Sequence, residues 1–235
     1  MKLVIPILLC LLVHQSNGQT RKQISIPHEE HGGLITTYWY TQQYKLDSDL
    51  NQEHLIDLTD SFHFRFSSDG VVIDIYSCDG AVFQGTITDY TFADENYGKR
   101  KSKGGRNHKW LLIYNTTLID ASDARKVYNE IMKIANVPTD NLIKNWQQGF
   151  DEYEYFLETS TPALYKFKNY WTVSAQDSTL IEGKQISAFV NSISEILQLE
   201  TKSDNFNAQL KPGAYSIDKT RIGYKLTPKS ENSGM

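Results

Sequence analysis

Cysteine is scarce in this chain, whose 235 residues include only Cys10 and Cys78. Cys10 lies in an N-terminal apolar segment that we expect to be removed, which leaves Cys78 without a partner for an internal disulfide. This excludes the small disulfide-stabilised scaffolds typical of toxins and growth factors. We expect Cys78 to be buried, because it follows an apolar run and an unpaired cysteine packs as a small hydrophobic residue.

Long apolar runs are also lacking beyond residue 20, where no stretch approaches the roughly 20 residues that a membrane-spanning helix needs. We therefore expect no transmembrane anchor. The N terminus has Lys2, an apolar run over residues 3–13, and the small residues Ser16 and Gly18 before Gln19. This order is typical of a secretory signal peptide. We expect cleavage near Gly18-Gln19 and a secreted or periplasmic protein.

Recognisable catalytic motifs are missing too. The chain has six histidines and no Gly-x-Ser-x-Gly sequence, which argues against a serine hydrolase. His28 and His31 are separated by three positions, whereas the zinc-protease helix separates its histidines by four. We expect no metal and no cofactor, and the pattern favours a protein that is not an enzyme. Carboxylate pairs for glycoside hydrolysis stay open, because such pairs can come from any part of a fold.

Negative charge is in modest excess, with 28 acidic against 24 basic residues, yet residues 98–109 read GKRKSKGGRNHK and contain no acid. This basic segment is either an anion-binding loop for phosphate, sulfate or acidic polysaccharide, or a solvated flexible connection. It has no interleaved aromatic residues on which bases could stack, so we expect no nucleic-acid partner. The candidate anion-binding residues are Lys99, Arg100, Lys101, Lys103, Arg106 and Lys109.

Alternating apolar and polar residues predict several strands. Residues 34–46 are rich in Thr, Tyr and Trp and predict a first strand. Phe62, Phe64 and Phe66 alternate with polar residues, and Asp69-Gly70 then predicts a hairpin turn. Further strands are predicted at Val71–Ser77, 81–92 and 110–116. Together they predict an antiparallel meander of about five strands.

The second half combines helices with one more hairpin. A helical period begins near residue 120 and stops before Pro138, and a second amphipathic helix spans about residues 182–199. Residues 152–159 and 163–172 predict a hairpin with an ionic outer face. The charges expected to face each other on its solvent side are those of Glu152, Glu154, Glu158, Lys166 and Lys168.

The predicted fold class is α+β, an antiparallel β-meander of about five strands plus a β-hairpin, with two amphipathic helices packed on one face. The predicted organisation is a signal peptide over residues 1–18, a flexible N-terminal leader over 19–33, a single domain over 34–226 and a disordered tail over 227–235.

Aromatic residues are abundant, with 4 Trp, 14 Tyr and 10 Phe. Most are expected to pack in the core, but an exposed subset on a sheet face would form a binding patch, because Trp and Tyr dominate interaction hot spots. The candidate binding residues are Tyr38, Tyr40, Tyr44, Tyr165 and Trp171.

Three short segments carry a family resemblance: residues 146–150 (WQQGF), 170–172 (YWT) and 175–178 (AQDS). Over about residues 60–200 the chain resembles uncharacterised secreted proteins of Bacteroidota-type bacteria. The resemblance implies a bacterial cell-envelope setting and carries no activity.

These observations favour an exported, non-catalytic binding protein that acts on a protein or a cell-envelope component through an aromatic sheet face. One alternative is a hydrolase or transferase acting on an anionic envelope glycan or a phosphorylated polymer. Another is a carrier of a small apolar ligand inside the sheet. The oligomeric state stays open.

Overall fold

A computed structural model describes residues 21–27, 38–97, 108–147, 154–219 and 222–225. These residues form four α-helices and one nine-stranded sheet. The strands are β1 (Gln23–Ser25), β2 (Phe62–Ser68), β3 (Val71–Ser77), β4 (Gln84–Asp94), β5 (Trp110–Ile119), β6 (Glu154–Ser160), β7 (Leu164–Trp171), β8 (Gly213–Ser216) and β9 (Gly223–Lys225). The helices are α1 (Tyr38–Asp49), α2 (Ala121–Ile134), α3 (Ile181–Leu197) and α4 (Leu199–Gln209).

The sheet is mostly antiparallel. Strands β2, β3, β4 and β5 pair in chain order, and Gly70 makes the β2–β3 turn with a φ of 78°. The hairpin β6–β7 pairs with the other side of β2, and β1 lies parallel to β7. Strand β8 pairs with the end of β4 beyond the β3 pairing, and β9 pairs with β8. The α+β class is therefore confirmed.

The predicted first strand is wrong, so the five-strand meander is not established. Of residues 34–46, those from Tyr38 onward belong to α1. Trp39, Leu46 and Leu50 pack on the sheet at spacings of seven and four residues, which suit one face of a helix. Packing of this stripe outweighs the strand preference of the Thr and Tyr residues.

Helices α2 and α3 pack side by side on one face of the sheet, which we call the helix-layer face. The Asp120 side chain accepts a hydrogen bond from the Asp123 backbone N–H and caps α2. Gln198 has a φ of 53° and separates α3 from α4. The sheet residues buried beneath these helices are apolar and include Phe64, Phe66, Ile73, Ile75 and Ile87.

Helix α1 covers part of the opposite face, which we call the α1 face. Successive strand residues point to opposite faces, so Arg65 and Ser67 of β2 point away from the side that Phe64 and Phe66 occupy. Arg65 and Ser67 are both buried. The sheet is thus covered on both faces, and its α1 face combines buried polar residues with apolar ones.

The hairpin β6–β7 is present, but the charge pairing predicted across it is wrong. The register places Glu154 opposite Trp171 and Glu158 opposite Phe167. Lys166 and Lys168 lie on the other face, where the Lys168 ammonium donates to the carbonyl oxygen of Val137 at 2.7 Å. Glu158 is buried rather than solvated. Glu152 lies outside the described residues.

Cys78 is exposed, contrary to the prediction. It follows the last residue of β3, so Ser77 takes the final buried position of that strand and Cys78 lies beyond the sheet. Residues 1–20, which include the predicted signal peptide, lie outside the described residues, as does most of the predicted leader. Within the described part of the chain, no helix is long and apolar enough to cross a membrane.

Candidate functional site

A cavity of about 370 Å³ lies between α1 and the α1 face of the sheet. The contributing segments are α1, the end of β2 and the β2–β3 turn, and strands β4, β6 and β7, together with the residues after β8. Its volume is in the range of small-molecule sites. The aromatic residues in its walls are Tyr38, Trp39, Tyr90, Phe92, Phe156 and Trp171.

One wall of the cavity is a cluster of three aromatic rings. The Trp39 ring centre lies 5.9 Å from that of Phe156 and 6.0 Å from that of Trp171. Phe156 and Glu154 share this face because they are two residues apart on β6, and Trp171 lies directly opposite Glu154. The register therefore places a carboxyl group beside the indole of Trp171.

Among the described residues, three that line the cavity have a buried side-chain oxygen atom without a hydrogen-bond partner: Gln43 Oε1, Ser67 Oγ and Glu154 Oε1. Gln43 and Ser67 are only 1 % and 2 % exposed. A buried polar atom without a partner costs about 1–3 kcal/mol, and folded proteins keep few of them. Two further such atoms in the described chain, Gln52 Oε1 and Glu158 Oε2, belong to residues that do not line the cavity.

The carboxyl group of Glu154 is electrostatically unusual. Burial raises the pKa of Glu154 to about 9, and the negative charges of Asp140 and Asp69 contribute to the increase. The group is therefore protonated at neutral pH. A nearby positive charge would lower this pKa and favour the carboxylate.

A buried ionic cluster adjoins the cavity and fixes α1 to the sheet. The Arg65 guanidinium lies 2.9 Å from the Asp47 carboxylate of α1 and 2.8 Å from the Asp74 carboxylate of β3. His63 Nε2 lies 3.1 Å from Asp74 Oδ1. The Gln43 amide nitrogen donates to Asp47 Oδ1 at 2.8 Å, so the cluster also orients a cavity residue.

This ionic cluster contains more carboxyl groups than cations. Burial raises the pKa of Glu158, and the neighbouring Asp47 raises it further. Burial also raises the pKa of Asp47, which Arg65 opposes. For Asp74, burial is outweighed by Arg65 and His63, which hold its pKa below the usual range. The Tyr165 hydroxyl donates to Glu158 Oε1 at 2.6 Å.

The five aromatic residues predicted to bind a partner all lie on the α1 side of the sheet, but not on an open sheet face. Tyr38 and Trp171 line the cavity. Tyr44 stacks on His54, and Tyr40 packs against Tyr165, which is fully buried. An exposed patch formed by all five residues is therefore not present.

Most of the predicted basic loop lies outside the described residues, namely Lys99, Arg100, Lys101, Lys103 and Arg106. Lys109 is described, and its ammonium lies 2.6 Å from the Glu95 carboxylate. His28 and His31 also lie outside the described residues. Where the structure describes the chain, no group of three or more His, Cys, Asp or Glu side chains is arranged to hold a metal ion.

Sequence reasoning missed Trp39, Gln43, Ser67 and Glu154 as site residues. The sequence of β6 did contain a sign that Glu154 is shielded from solvent. Phe156 lies on the same face of the strand as Glu154, and Tyr155 and Leu157 lie on the opposite face, so both faces carry large apolar residues. A strand with large apolar residues on both faces is buried on both sides.

Comparisons of this chain with protein-family models, curated proteins and solved structures found no match.

Proposed function

We propose that this protein is a non-catalytic binding protein that holds a small organic ligand in the cavity between α1 and the sheet. The observation that carries the proposal is a cavity of about 370 Å³ whose wall is formed by the rings of Trp39, Phe156 and Trp171.

The shape and chemistry of the cavity support a small ligand rather than a flat protein partner. Small-molecule sites are concave and mostly apolar, with a few polar groups that orient the ligand. The rings of Trp39, Phe156 and Trp171 provide apolar surface, and polar lining residues such as Gln42, Ser68 and Asp69 provide the polar groups. Because α1 covers the aromatic sheet face, the cavity takes the place of the open binding face expected from the sequence.

The proposed setting is the secreted or periplasmic space, which rests on the N-terminal signal-peptide pattern around Lys2 and Gly18. A protein with a preformed cavity suits capture or transport of a ligand in that compartment. The resemblance to Bacteroidota-type secreted proteins supports a cell-envelope setting in the same way.

The proposal is tested by blocking the cavity. Ser67→Leu would place a larger side chain in the cavity, whereas Ser67→Ala keeps its volume. A fragment library of neutral, cationic and anionic compounds is screened against the full chain by ligand-observed NMR. We expect hits that bind the unmodified protein and Ser67→Ala but lose at least about tenfold in affinity with Ser67→Leu. Hits that bind all three proteins equally, or no hits, would overturn the proposal.

A hydrolase acting on a glycan is the second candidate, because the carboxyl residues that line the cavity include Glu154 and Asp69. The raised pKa of Glu154, caused by burial, suits a general acid, which must carry a proton at neutral pH. This candidate requires release of reducing sugar from an oligosaccharide and its loss in Glu154→Gln. Binding of oligosaccharide without product would exclude it in favour of the binding protein.

A further inference from the structure

We infer that two copies of this chain associate through β5, each copy pairing its β5 antiparallel with the β5 of the other, so that one sheet continues across a two-fold axis. The inference is independent of the proposed function, because β5 contributes no residue to the lining of the cavity. Three observations carry it: the open backbone edge of β5, its uncharged sequence, and the way its residues match a second copy of themselves.

One backbone edge of β5 has no partner strand in the part of the chain that the structure describes. Strand β4 pairs with the other edge along all ten residues, and just before β5 the Glu95 N–H donates to the Lys109 carbonyl at 2.9 Å. Opposed residues of an antiparallel pair are alternately hydrogen bonded and not hydrogen bonded, so the odd-numbered residues of β5 bond to β4. The even-numbered residues direct their N–H and C=O groups outward, and these are Trp110, Leu112, Tyr114, Thr116 and Leu118.

This edge lacks the protection that the outer strands of a sheet usually have. Proteins keep open edges short, or place charges or proline on them, to prevent pairing with other chains. The strands at the two ends of the sheet, β1 and β9, have three residues each. Strand β5 has ten, and its sequence, WLLIYNTTLI, contains no charge and no proline. Leu118 is 80 % exposed, and Tyr114 and Leu111 are more than half exposed. A second strand on this edge would cover these side chains.

A second copy of β5 fits the edge in a register centred on Tyr114. A two-fold axis perpendicular to the sheet keeps corresponding faces of the two copies on the same side and places Tyr114 opposite the Tyr114 of the second copy. Leu118 then lies opposite Trp110, and Thr116 lies opposite Leu112. All five residues direct their backbone groups outward, so each opposed pair exchanges two hydrogen bonds. The exposed Leu118 side chain covers the half-buried indole, and such cross-strand pairs stabilise a sheet.

The ends of β5 also suit a second copy. In this register Lys109 lies opposite Ile119, so Lys109 of each copy, which is ion-paired with Glu95, comes next to Asp120 of the other. The charges that meet at the two ends are therefore opposite in sign, and no like charges face each other between them. A two-fold dimer uses each β5 edge once, so association stops at two copies.

The first test measures the mass of the full chain by sedimentation equilibrium. We expect twice the 26.9 kDa of one chain. Leu118→Lys places a charge opposite the indole of Trp110 and should raise the dissociation constant of the dimer at least about tenfold. The matched control is Leu142→Lys, since Leu142 is 72 % exposed and its 3-10 turn, Asp140–Leu142, lies beside β7 and away from β5. The control should leave the dissociation constant unchanged.

The second test uses the position of Tyr114 on the axis, where one substitution places two identical charges opposite each other. Like charges opposed across two strands are destabilising, so Tyr114→Lys and Tyr114→Glu should each raise the dissociation constant at least about tenfold. An equal mixture of the two variants places an ammonium opposite a carboxylate and should restore a dimer that contains one of each. Circular dichroism verifies that both variants fold, and restoration by mixing distinguishes a lost interface from a damaged fold.

The outcomes that would overturn the inference are specific. An unmodified chain that stays monomeric at about 100 µM would overturn it. A dimer that persists equally in Leu118→Lys and Leu142→Lys would show that another surface is used. Two folded Tyr114 variants that do not associate when mixed would exclude the two-fold pairing of β5. None of these results bears on ligand binding, because the cavity lies outside β5.

Discussion

The two faces of the sheet are built from the same strands but differ in chemistry. On the helix-layer face, Phe64 and Phe66 of β2 pack in a continuous apolar core with Phe189 of α3. On the α1 face, Arg65 and Ser67 of the same strand lie in a buried ionic cluster and a cavity. The comparison teaches that the apolar face provides stability, which allows the other face to keep polar atoms without partners.

The largest expected effect comes from breaking the helix-layer face. Phe189→Ala removes a ring whose centre lies 6.1 Å from those of both Phe64 and Phe66. We expect the free energy of unfolding to fall by about 3–5 kcal/mol, measured by urea denaturation, and to fall equally at pH 6 and pH 8. Gln185→Ala, an exposed position on α3, is the control. A loss below about 1 kcal/mol would show that this face is not the stabilising one.

The next largest loss of stability is expected on the α1 face, and unlike the loss on the helix-layer face it should depend on pH. Arg65→Met leaves the carboxyl groups of Asp47 and Asp74 buried without their cation. We expect a loss of about 3 kcal/mol at pH 7 that shrinks at pH 5, because protonation removes the uncompensated charge. Lys133→Met, which breaks an exposed pair with Glu130, should change stability by less than about 0.5 kcal/mol. A loss that stays constant with pH would contradict the ionic account.

In contrast to the two preceding substitutions, replacing Glu154 in the cavity is expected to increase the free energy of unfolding. Because the pKa of Glu154 is raised to about 9 in the folded protein, the native state holds a proton that the unfolded chain loses above about pH 4.5. Stability contributed by this site therefore decreases as pH rises through that window. Glu154→Gln should raise the free energy of unfolding by about 3 kcal/mol at pH 8 and by less than about 1 kcal/mol at pH 5.

The control for this gain is Glu195→Gln on the surface of α3. We expect it to change the free energy of unfolding by less than about 0.5 kcal/mol at either pH, because Glu195 is an exposed surface residue. A Glu154→Gln variant less stable than the unmodified protein at pH 8 would show that the carboxyl already has a stabilising partner.

The smallest effect tests the rim of the cavity. Lys219 joins the residues after β8 to Asp49 of α1 at 2.6 Å, and its ammonium lies 4.1 Å from the Phe92 ring centre. Both charges are partly solvated, so Lys219→Ala should cost less than about 1 kcal/mol, and less again in 0.5 M salt. A large loss that salt does not reduce would mean that this contact belongs to the buried ionic cluster.

Short sequence patterns predicted the turns and helices whose conformation depends mainly on their own residues. Asp69-Gly70 predicted the β2–β3 hairpin, and the 3.6-residue periods predicted helices near α2 and α3. Helix α1 could not be predicted in this way, because its sequence favours a strand and its helical form depends on packing against residues of β4, β6 and β7.

The candidate site was predictable only in part, for a related reason. Tyr38 and Trp171 were predicted as binding residues and line the cavity, but they were expected on an open sheet face. Glu154 was assigned to solvent because acidic residues are rarely buried. Its burial depends on α1, which lies more than a hundred residues away in the chain, so no local pattern contains that information.

The pairing of β4 with three other strands determines the order in which parts of the protein unfold. Strand β4 pairs with β5 along nearly its whole length, and its other edge pairs first with β3 and then with β8. Amide hydrogens in such a strand exchange with deuterium only when the whole sheet separates, whereas the three-residue β1 can detach alone. The exchange rates of β4 would therefore record global unfolding, and those of α1 would record separately how often the cavity opens.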